Sequence, residues 1–214
     1  MSNKFLHDQI YRGQDAMEKL AKPIVTICGA GAIGSNLANN LARQGFRNLR
    51  VIDFDRVEEH NINTQIYGVG DVGALKVDVL KNQLFRAVEI EIDVVRKKLE
   101  QRNAAKTLKG SDLVIDTFDN SASRQLVQDT CRANKMQCLH AGLFADYCEV
   151  IWDENYKVPG DAEGDVCDYP LARNLVLLSV SIASESVAQF FIHGQKTNRT
   201  ATLGDFAVRE LESS

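Results

Sequence analysis

The stretch Ile24-Val25-Thr26-Ile27-Cys28-Gly29-Ala30-Gly31-Ala32-Ile33-Gly34, continued by Leu49-Arg50-Val51-Ile52-Asp53, decides the fold. The apolar run 24–28 reads as a buried strand, and the amphipathic run from Ala32 to Gln44 reads as the helix after it. Glycines at such a strand-to-helix turn let the backbone approach phosphate closely. The helix then offers free N–H groups and the positive end of its dipole to an anion. Asp53 ends the second strand, where a carboxylate can accept from ribose hydroxyls. A glycine-rich turn alone is a weak signal. Strand, glycines, helix, strand and acid in that order point to a nucleotide.

Outward from this unit the chain alternates strands and helices. An amphipathic helix is predicted near Lys4 to Leu20. A polar connection, Glu58 to Gly70, contains His60-Asn61-Ile62-Asn63-Thr64-Gln65, and a helix from about Ala74 to Phe85 follows. Val88 to Val95 reads as a strand, Leu99 to Leu108 as a short helix, and Leu113 to Asp116 as a strand. Ser121 to Asn134 reads as a helix with Asn120 as its N-cap. Cys138 to Ala141 and Glu149 to Trp152 read as strands, Leu175 to Phe191 as the last long helix, and Thr200–Leu203 and Phe206–Val208 as short closing strands. The expected fold is α/β: a Rossmann-like, doubly wound and mostly parallel sheet with helices on both faces. Antiparallel strands are expected toward the C-terminus, in a single domain over residues 1–214.

Composition narrows the class. Hydrophobic residues make up 44% of the chain and charged residues 25%, which suits a folded domain rather than a disordered one. A net charge of -4 and a pI of about 5.6 argue against a nucleic-acid surface. The start, Met1-Ser2-Asn3-Lys4-Phe5, lacks the apolar core of a signal peptide. The 175–191 run is interrupted by Ser179, Ser181, Ser184, Glu185, Ser186 and Gln189, so no membrane span is expected and a cytoplasmic location is the default. The five cysteines, Cys28, Cys131, Cys138, Cys148 and Cys167, form no CxxC pair, so neither a disulfide framework nor structural zinc is expected. Cys167 sits in the loop Pro159 to Asp168 among Asp161, Glu163, Asp165 and Asp168. Those carboxylates would raise its pKa and weaken it as a nucleophile.

Further candidates follow the strand ends. Asp53-Phe54-Asp55 lies where open α/β sheets bind ligands. Lys76 falls at a helix start, where the dipole disfavours a cation unless an anion is near. Either a phosphate contact or a solvated helix lysine fits it. Asp116-Thr117-Phe118-Asp119-Asn120 puts two carboxylates past another strand, suited to magnesium through oxygen or water. Capping of the next helix is the competing role for Asp119. His140 has no base or ligand at a recognisable spacing and reads as a packed strand histidine.

GAGAIG at 29–34, VIDFD at 51–55, HNINTQ at 60–65, DVGALK ending at Lys76 and DTFDN at 116–120 together make the chain resemble the ThiF/MoeB/HesA adenylyltransferases, the fold shared with ubiquitin-activating enzymes. The resemblance runs from about Gln9 to Phe191. It implies Mg-ATP and a small ubiquitin-like or sulfur-carrier protein, or a peptide, whose C-terminal carboxylate attacks the α-phosphate and expels pyrophosphate. It also implies that Gly29, Gly31 and Gly34 shape the phosphate turn. Asp53 holds ribose, Asn61 and Lys76 contact phosphates, Asp119 handles magnesium, Gln65 matches the family position next to the usual arginine, and Asp55 counts with them as cofactor-binding. A homodimer or heterodimer is expected on the same ground.

The chain departs from the family pattern at two arginines. Asp8-Gln9 and Thr64-Gln65 stand where the family usually has arginine before glutamine. A charge-assisted contact is worth about 1.5–3 kcal/mol, so two missing contacts amount to about 3–6 kcal/mol. Arg12, four residues beyond Asp8 on the same helix face, is the candidate replacement. Paired CxxC motifs and a separate cysteine domain are absent, which counts against thioester transfer. Two other readings stand beside adenylyl transfer. One is a silent nucleotide-binding subunit scaffolding an active partner. The other is an NAD-dependent oxidoreductase resting on the glycine turn and Asp53.

Overall fold

The computed structural model describes residues 3–160 and 170–211. Its strands are β1 (Ile24–Cys28), β2 (Asn48–Ile52), β3 (Asp93–Val95), β4 (Leu113–Asp116), β5 (Cys138–Phe144), β6 (Tyr147–Trp152), β7 (Asn198–Thr202) and β8 (Val208–Leu211). The helices are α1 (Leu6–Arg12), α2 (Gln14–Ala21), α3 (Ala32–Arg43), α4 (Lys76–Val88), α5 (Ala104–Leu108), α6 (Ser121–Ala133) and α7 (Arg173–His193). The strands form one sheet in the order β3-β2-β1-β4-β5-β6-β7-β8. Pairings from β3 through β5 are parallel, and those from β5 to β8 are antiparallel. The expected doubly wound sheet with antiparallel strands at the C-terminal side is therefore what the chain forms.

Side-chain alternation along the strands splits the interior into two cores. Val25 and Ile27 of β1, Leu49 and Val51 of β2, and Leu113 and Ile115 of β4 face a core shared with α3, α4 and α7. Cys28, Ile52 and Val114, on the other face, pack with Leu108 of α5 and Val127 and Cys131 of α6. Helices thus cover both faces, as right-handed parallel crossovers require.

Several boundaries differ from the sequence reading, among them the closing strands, at Asn198–Thr202 and Val208–Leu211 rather than Thr200–Leu203 and Phe206–Val208. The single N-terminal helix is broken at Gly13, whose φ of 85° is favourable only for glycine. The helix expected to end near Phe85 continues to Val88 and stops at Glu89 in a left-handed conformation, which leaves only Asp93–Val95 for β3. The helix expected from Leu99 begins at Ala104. The 21-residue α7 is long and apolar enough to cross a membrane by length and composition alone, a test that the buried core helix of a globular domain also passes. Its apolarity has a nearer cause. Leu175, Val176, Ala183, Val187 and Ala188 are fully buried in the core beneath the sheet.

Candidate functional site

The sheet order reverses direction at β1. The chain leaves β1 for β2 on one side and later places β4 on the other, so the crevice at the carboxyl ends of β1 and β4 is the ligand position of this architecture. The glycine turn occupies that crevice. Gly29 has a φ of 104° and closes on β2 through its N–H to the Ile52 carbonyl, 2.9 Å. Across the crevice Thr117 follows β4. Its N–H (3.0 Å) and hydroxyl (2.9 Å) both donate to the Cys28 carbonyl.

The three glycines do different work. A Cβ on Gly34 would lie 2.0 Å from the Gly29 carbonyl oxygen, so this glycine lets α3 close on the turn. A Cβ on Gly29 would meet Thr117 Oγ1 at 3.0 Å. Gly31, the residue before α3, is different. Its φ of -79° is negative, its ψ of -149° lies outside the ordinary extended region, and nothing lies within 4 Å of where its Cβ would be. No protein contact demands glycine there. The open space beside an uncapped helix N-terminus fits a phosphate group approaching the backbone closely.

Asp53 sits just beyond β2 and is buried. Its Oδ2 accepts from Ala30 N–H and its Oδ1 from Asp55 N–H, both at 2.7 Å. Burial raises its pKa, and the two backbone donors and Lys76 oppose that rise. Each oxygen keeps a lone pair, so a ribose hydroxyl can still donate to it. Lys76 is the first residue of α4. Its backbone N–H donates to the Asp55 carbonyl, and its buried Nζ lies 3.4 Å from Asp55 Oδ2. The anion that offsets its unfavourable place at a helix start is therefore Asp55.

The segment 60–67 folds over the turn. Asn36 of α3 donates to the Thr64 carbonyl (2.9 Å), Ser35 accepts from Ile66 N–H (3.4 Å), and the Tyr67 hydroxyl donates to the Ala30 carbonyl (2.8 Å). Asn61 is buried with its amide oxygen accepting from Glu58 N–H, which leaves the amide nitrogen as the end able to donate to an anion. Gln65 Oε1 is buried with no hydrogen-bond partner among the described residues. The fold thus brings Gly29, Gly31, Gly34, Asp53, Asp55, Asn61, Gln65 and Lys76 into one hydrogen-bonded neighbourhood.

Asp119 is exposed in the loop that Thr117 anchors to the turn. It does not cap α6: Asn120 does, accepting from Ser123 N–H at 2.9 Å. Among the described residues Asp119 Oδ1 accepts only from the Asn120 amide, at 3.2 Å, so the carboxylate is available to a hydrated cation.

Arg12 lies elsewhere. Its guanidinium makes a two-pronged contact with Glu185 of α7 (2.6 and 3.2 Å) and a third with Asp8 (3.3 Å). Those partners raise its pKa against the effect of burial. The neighbouring Ser184 meets Asn40 of α3, eight residues and hence about 12 Å along α3 from the glycine turn. Arg12 is not brought to the glycine turn within this chain. Cys167 lies outside the described residues; Cys28, Cys131, Cys138 and Cys148 are buried and free. A shallow hollow of about 350 Å³ lined by Lys22, Arg47, Arg50 and Asp93 lies at the amino ends of β1 to β3, the edge opposite the turn.

Local spacing missed a buried polar cluster behind the β4 loop. Asp116 and His140 are register partners on β4 and β5, both fully buried. His140 Nδ1 lies 2.9 Å from Asp116 Oδ2, and Nε2 lies 3.3 Å from Asp153 Oδ1. Tyr156 stacks on the imidazole at 3.8 Å and 11°. Arg124 of α6 donates to the Tyr156 hydroxyl (2.9 Å) and lies 3.6 Å from Asp116. Burial opposes protonation of His140, but hydrogen bonds to Asp116 and Asp153 overcome it and raise its pKa. Asp153, despite its own burial, is held down at about 2 by His140, Arg132 and Gln128. Asp116 Oδ1 also accepts from Phe118 N–H at 3.1 Å, so the cluster shapes the loop that carries Asp119. Asp116 is committed to this cluster, which leaves Asp119 as the metal candidate of the two.

Comparison with known proteins agrees with this geometry. The sequence model of the ThiF family matches residues 6–162. The chain belongs to the ThiF family. It is 34% identical over 115 residues to tRNA threonylcarbamoyladenosine dehydratase 2 of Saccharomyces cerevisiae, covering 51% of this chain and 26% of that protein. It is also 34% identical over 176 residues to MoeZ of Mycobacterium tuberculosis, named as a probable adenylyltransferase/sulfurtransferase, covering 72% of this chain and 45% of MoeZ. The chain therefore spans less than half the length of these two ThiF relatives. Crystal structures of E. coli MccB share the fold. The complex with MccA-N7isoASN has a TM-score of 0.82 at 19% identity, covering 98% of this chain and 70% of MccB. The complex with ATP has a TM-score of 0.78 at 18% identity, covering 99% and 72%. Neither relative's name describes hydride transfer, so the nicotinamide reading finds no support among them.

Proposed function

We propose that the chain is an ATP-dependent adenylyltransferase that activates the C-terminal carboxylate of a ubiquitin-like or sulfur-carrier protein, or of a peptide. The observation that carries the reading is the space left at Gly31 above an uncapped helix, flanked by Asp53 and Lys76. The relative named as an adenylyltransferase and the MccB structure solved with ATP support the same nucleotide.

In this reading the N–H groups of the first turn of α3 and the Lys76 ammonium face the phosphates, and Asp53 orients the ribose. The substrate carboxylate oxygen bonds to the α-phosphorus, the bond from that phosphorus to the bridging oxygen breaks, and pyrophosphate leaves with the electron pair. Two anions must approach, so fixed donors and cations that offset the growing charge supply most of the acceleration. Magnesium would be held at Asp119 and would neutralise phosphate oxygens. Exposed Leu6, Ile10 and Tyr11 on α1 support assembly with a second subunit, identical or not.

The test is release of pyrophosphate from Mg-ATP in the presence of small carrier proteins ending in Gly-Gly, followed by mass detection of AMP on the carrier. Release with an AMP adduct is the expected result. ATP binding with no release for any carrier would favour the silent-subunit reading. It would fit the threonine and aspartate standing at the two arginine positions.

A further inference from the structure

The nucleotide site described above is short of positive charge. Lys76 is its one buried cation among the described residues and is already paired with Asp55, while Asp53 and Asp119 add negative charge on either side. A nucleoside triphosphate placed there meets carboxylates that repel it and a lysine that is half neutralised. Arg12, the replacement suggested by sequence, is held by Glu185 about 12 Å along α3.

The structure delivers a different arginine. Arg173 is the first residue of α7, and its Nη1 donates to the carbonyl of Asn63 at 3.1 Å. Asn63 immediately precedes Thr64. The Thr64 carbonyl is bound by Asn36 in the second turn of α3, and Tyr67 of the same segment donates to the Ala30 carbonyl in the glycine turn. Arg173 thus rests on the strap that covers the phosphate turn. Helices α3 and α7 lie side by side with Asn40 meeting Ser184, so their N-terminal ends both approach this strap.

Among the described residues nothing else explains the place of Arg173. It is exposed and has no carboxylate partner among the described residues. A guanidinium has five N–H donors, and the Asn63 carbonyl uses one of them. In the first turn of a helix the dipole works against a cation rather than for it. An arginine held against the strap by a neutral carbonyl, with no charge partner among the described residues, is suited to an anion arriving at that strap.

We infer that Arg173 is the cation that neutralises the ATP phosphates at the 60–67 segment, supplying from α7 the charge that Thr64 does not. The inference rests on the adenylyltransferase reading above and names a further residue of that site.

The test uses the full chain with Mg-ATP and, as a ligand without phosphate, adenosine, each titrated by competition calorimetry. Three variants are compared: Arg173→Ala, Arg173→Gln, which keeps a donor for the Asn63 carbonyl while removing the charge, and Arg173→Lys. ATP affinity is expected to fall about tenfold in the first two, with adenosine affinity unchanged and most of the loss restored in Arg173→Lys. The fall in ATP affinity should shrink as salt is raised. Equal losses for ATP and adenosine would make Arg173 a mere prop for the strap, and unchanged ATP affinity would remove it from the site. Either result overturns the inference while leaving ATP binding by the unaltered chain intact. An unaltered chain that binds no ATP overturns the adenylyltransferase reading beneath it.

Discussion

Replacing His140 with glutamine tests the buried cluster behind the Asp119 loop. The imidazole is fully buried with a carboxylate oxygen at each nitrogen, Asp116 at 2.9 Å and Asp153 at 3.3 Å. Removing one member of a buried charge pair costs about 3–5 kcal/mol, because the remaining charge is left in a poorly solvating interior. Arg124 still lies 3.6 Å from Asp116, and Arg132 remains 2.8 Å from Asp153, so the expected loss is at the lower end, about 3 kcal/mol. In a chain of this size that lowers the melting temperature by about 6–12 °C. The pH dependence identifies the cause. The folded-state pKa of His140 is raised above its ordinary value of 6.5, so its contribution is whole below that pH and is lost as pH rises through the raised value. Urea denaturation of both proteins across pH 5.5 to 9 should therefore show a gap that is widest in acid and narrows toward alkali. A gap that stays constant with pH, or a loss below about 1 kcal/mol, would refute the buried imidazolium.

Gly34→Ala should destabilise the fold by about 1–3 kcal/mol, because the new methyl meets the Gly29 carbonyl at 2.0 Å. Gly31→Ala meets no protein atom, so it should melt above Gly34→Ala yet bind ATP more weakly than the unaltered protein; equal melting points for the two variants would undo the distinction. Asp53→Ala should weaken ATP binding by about 1–3 kcal/mol, and unchanged calorimetric affinity would remove this carboxylate from the ribose. Asp119→Ala should abolish magnesium-dependent pyrophosphate exchange while keeping most ATP affinity, and full exchange would end its assignment to the metal. Arg12→Ala breaks a two-pronged ion pair to Glu185 and should lower the melting temperature of the single protomer. If Arg12 also serves a neighbouring site, mixing this variant with Lys76→Ala should restore one working site per mixed dimer, and no recovery would confine it to the ion pair.

Much of this protein is written locally. A five-residue apolar run, a glycine turn and an amphipathic run specify β1, the turn and α3 at the observed residues, because periodicity and glycine conformations depend on neighbours a few positions away. Leu113–Asp116 and the Asn120 cap were legible for the same reason. The crevice follows from the order of strands and helices, so the residues at the ends of β1, β2 and β4 are legible in the sequence. Helix ends were less legible, since the break at Gly13 and the left-handed stop at Glu89 turn on single backbone angles.

Tertiary structure decided what depends on residues far apart in the chain. His140 has no partner within its own strand's pattern. Asp116 reaches it through parallel pairing of β4 with β5, and Asp153 reaches it from just past β6. Arg12 stands out in sequence only by its spacing from Asp8, and Arg173 not at all, yet packing of α7 beside α3 ties the first to Glu185 and lays the second on Asn63. A carboxylate or guanidinium carries no periodic signal of its own. Its role is set by the charges and carbonyls that folding brings within a few ångströms, and pairwise electrostatic interaction strengthens as solvent is excluded.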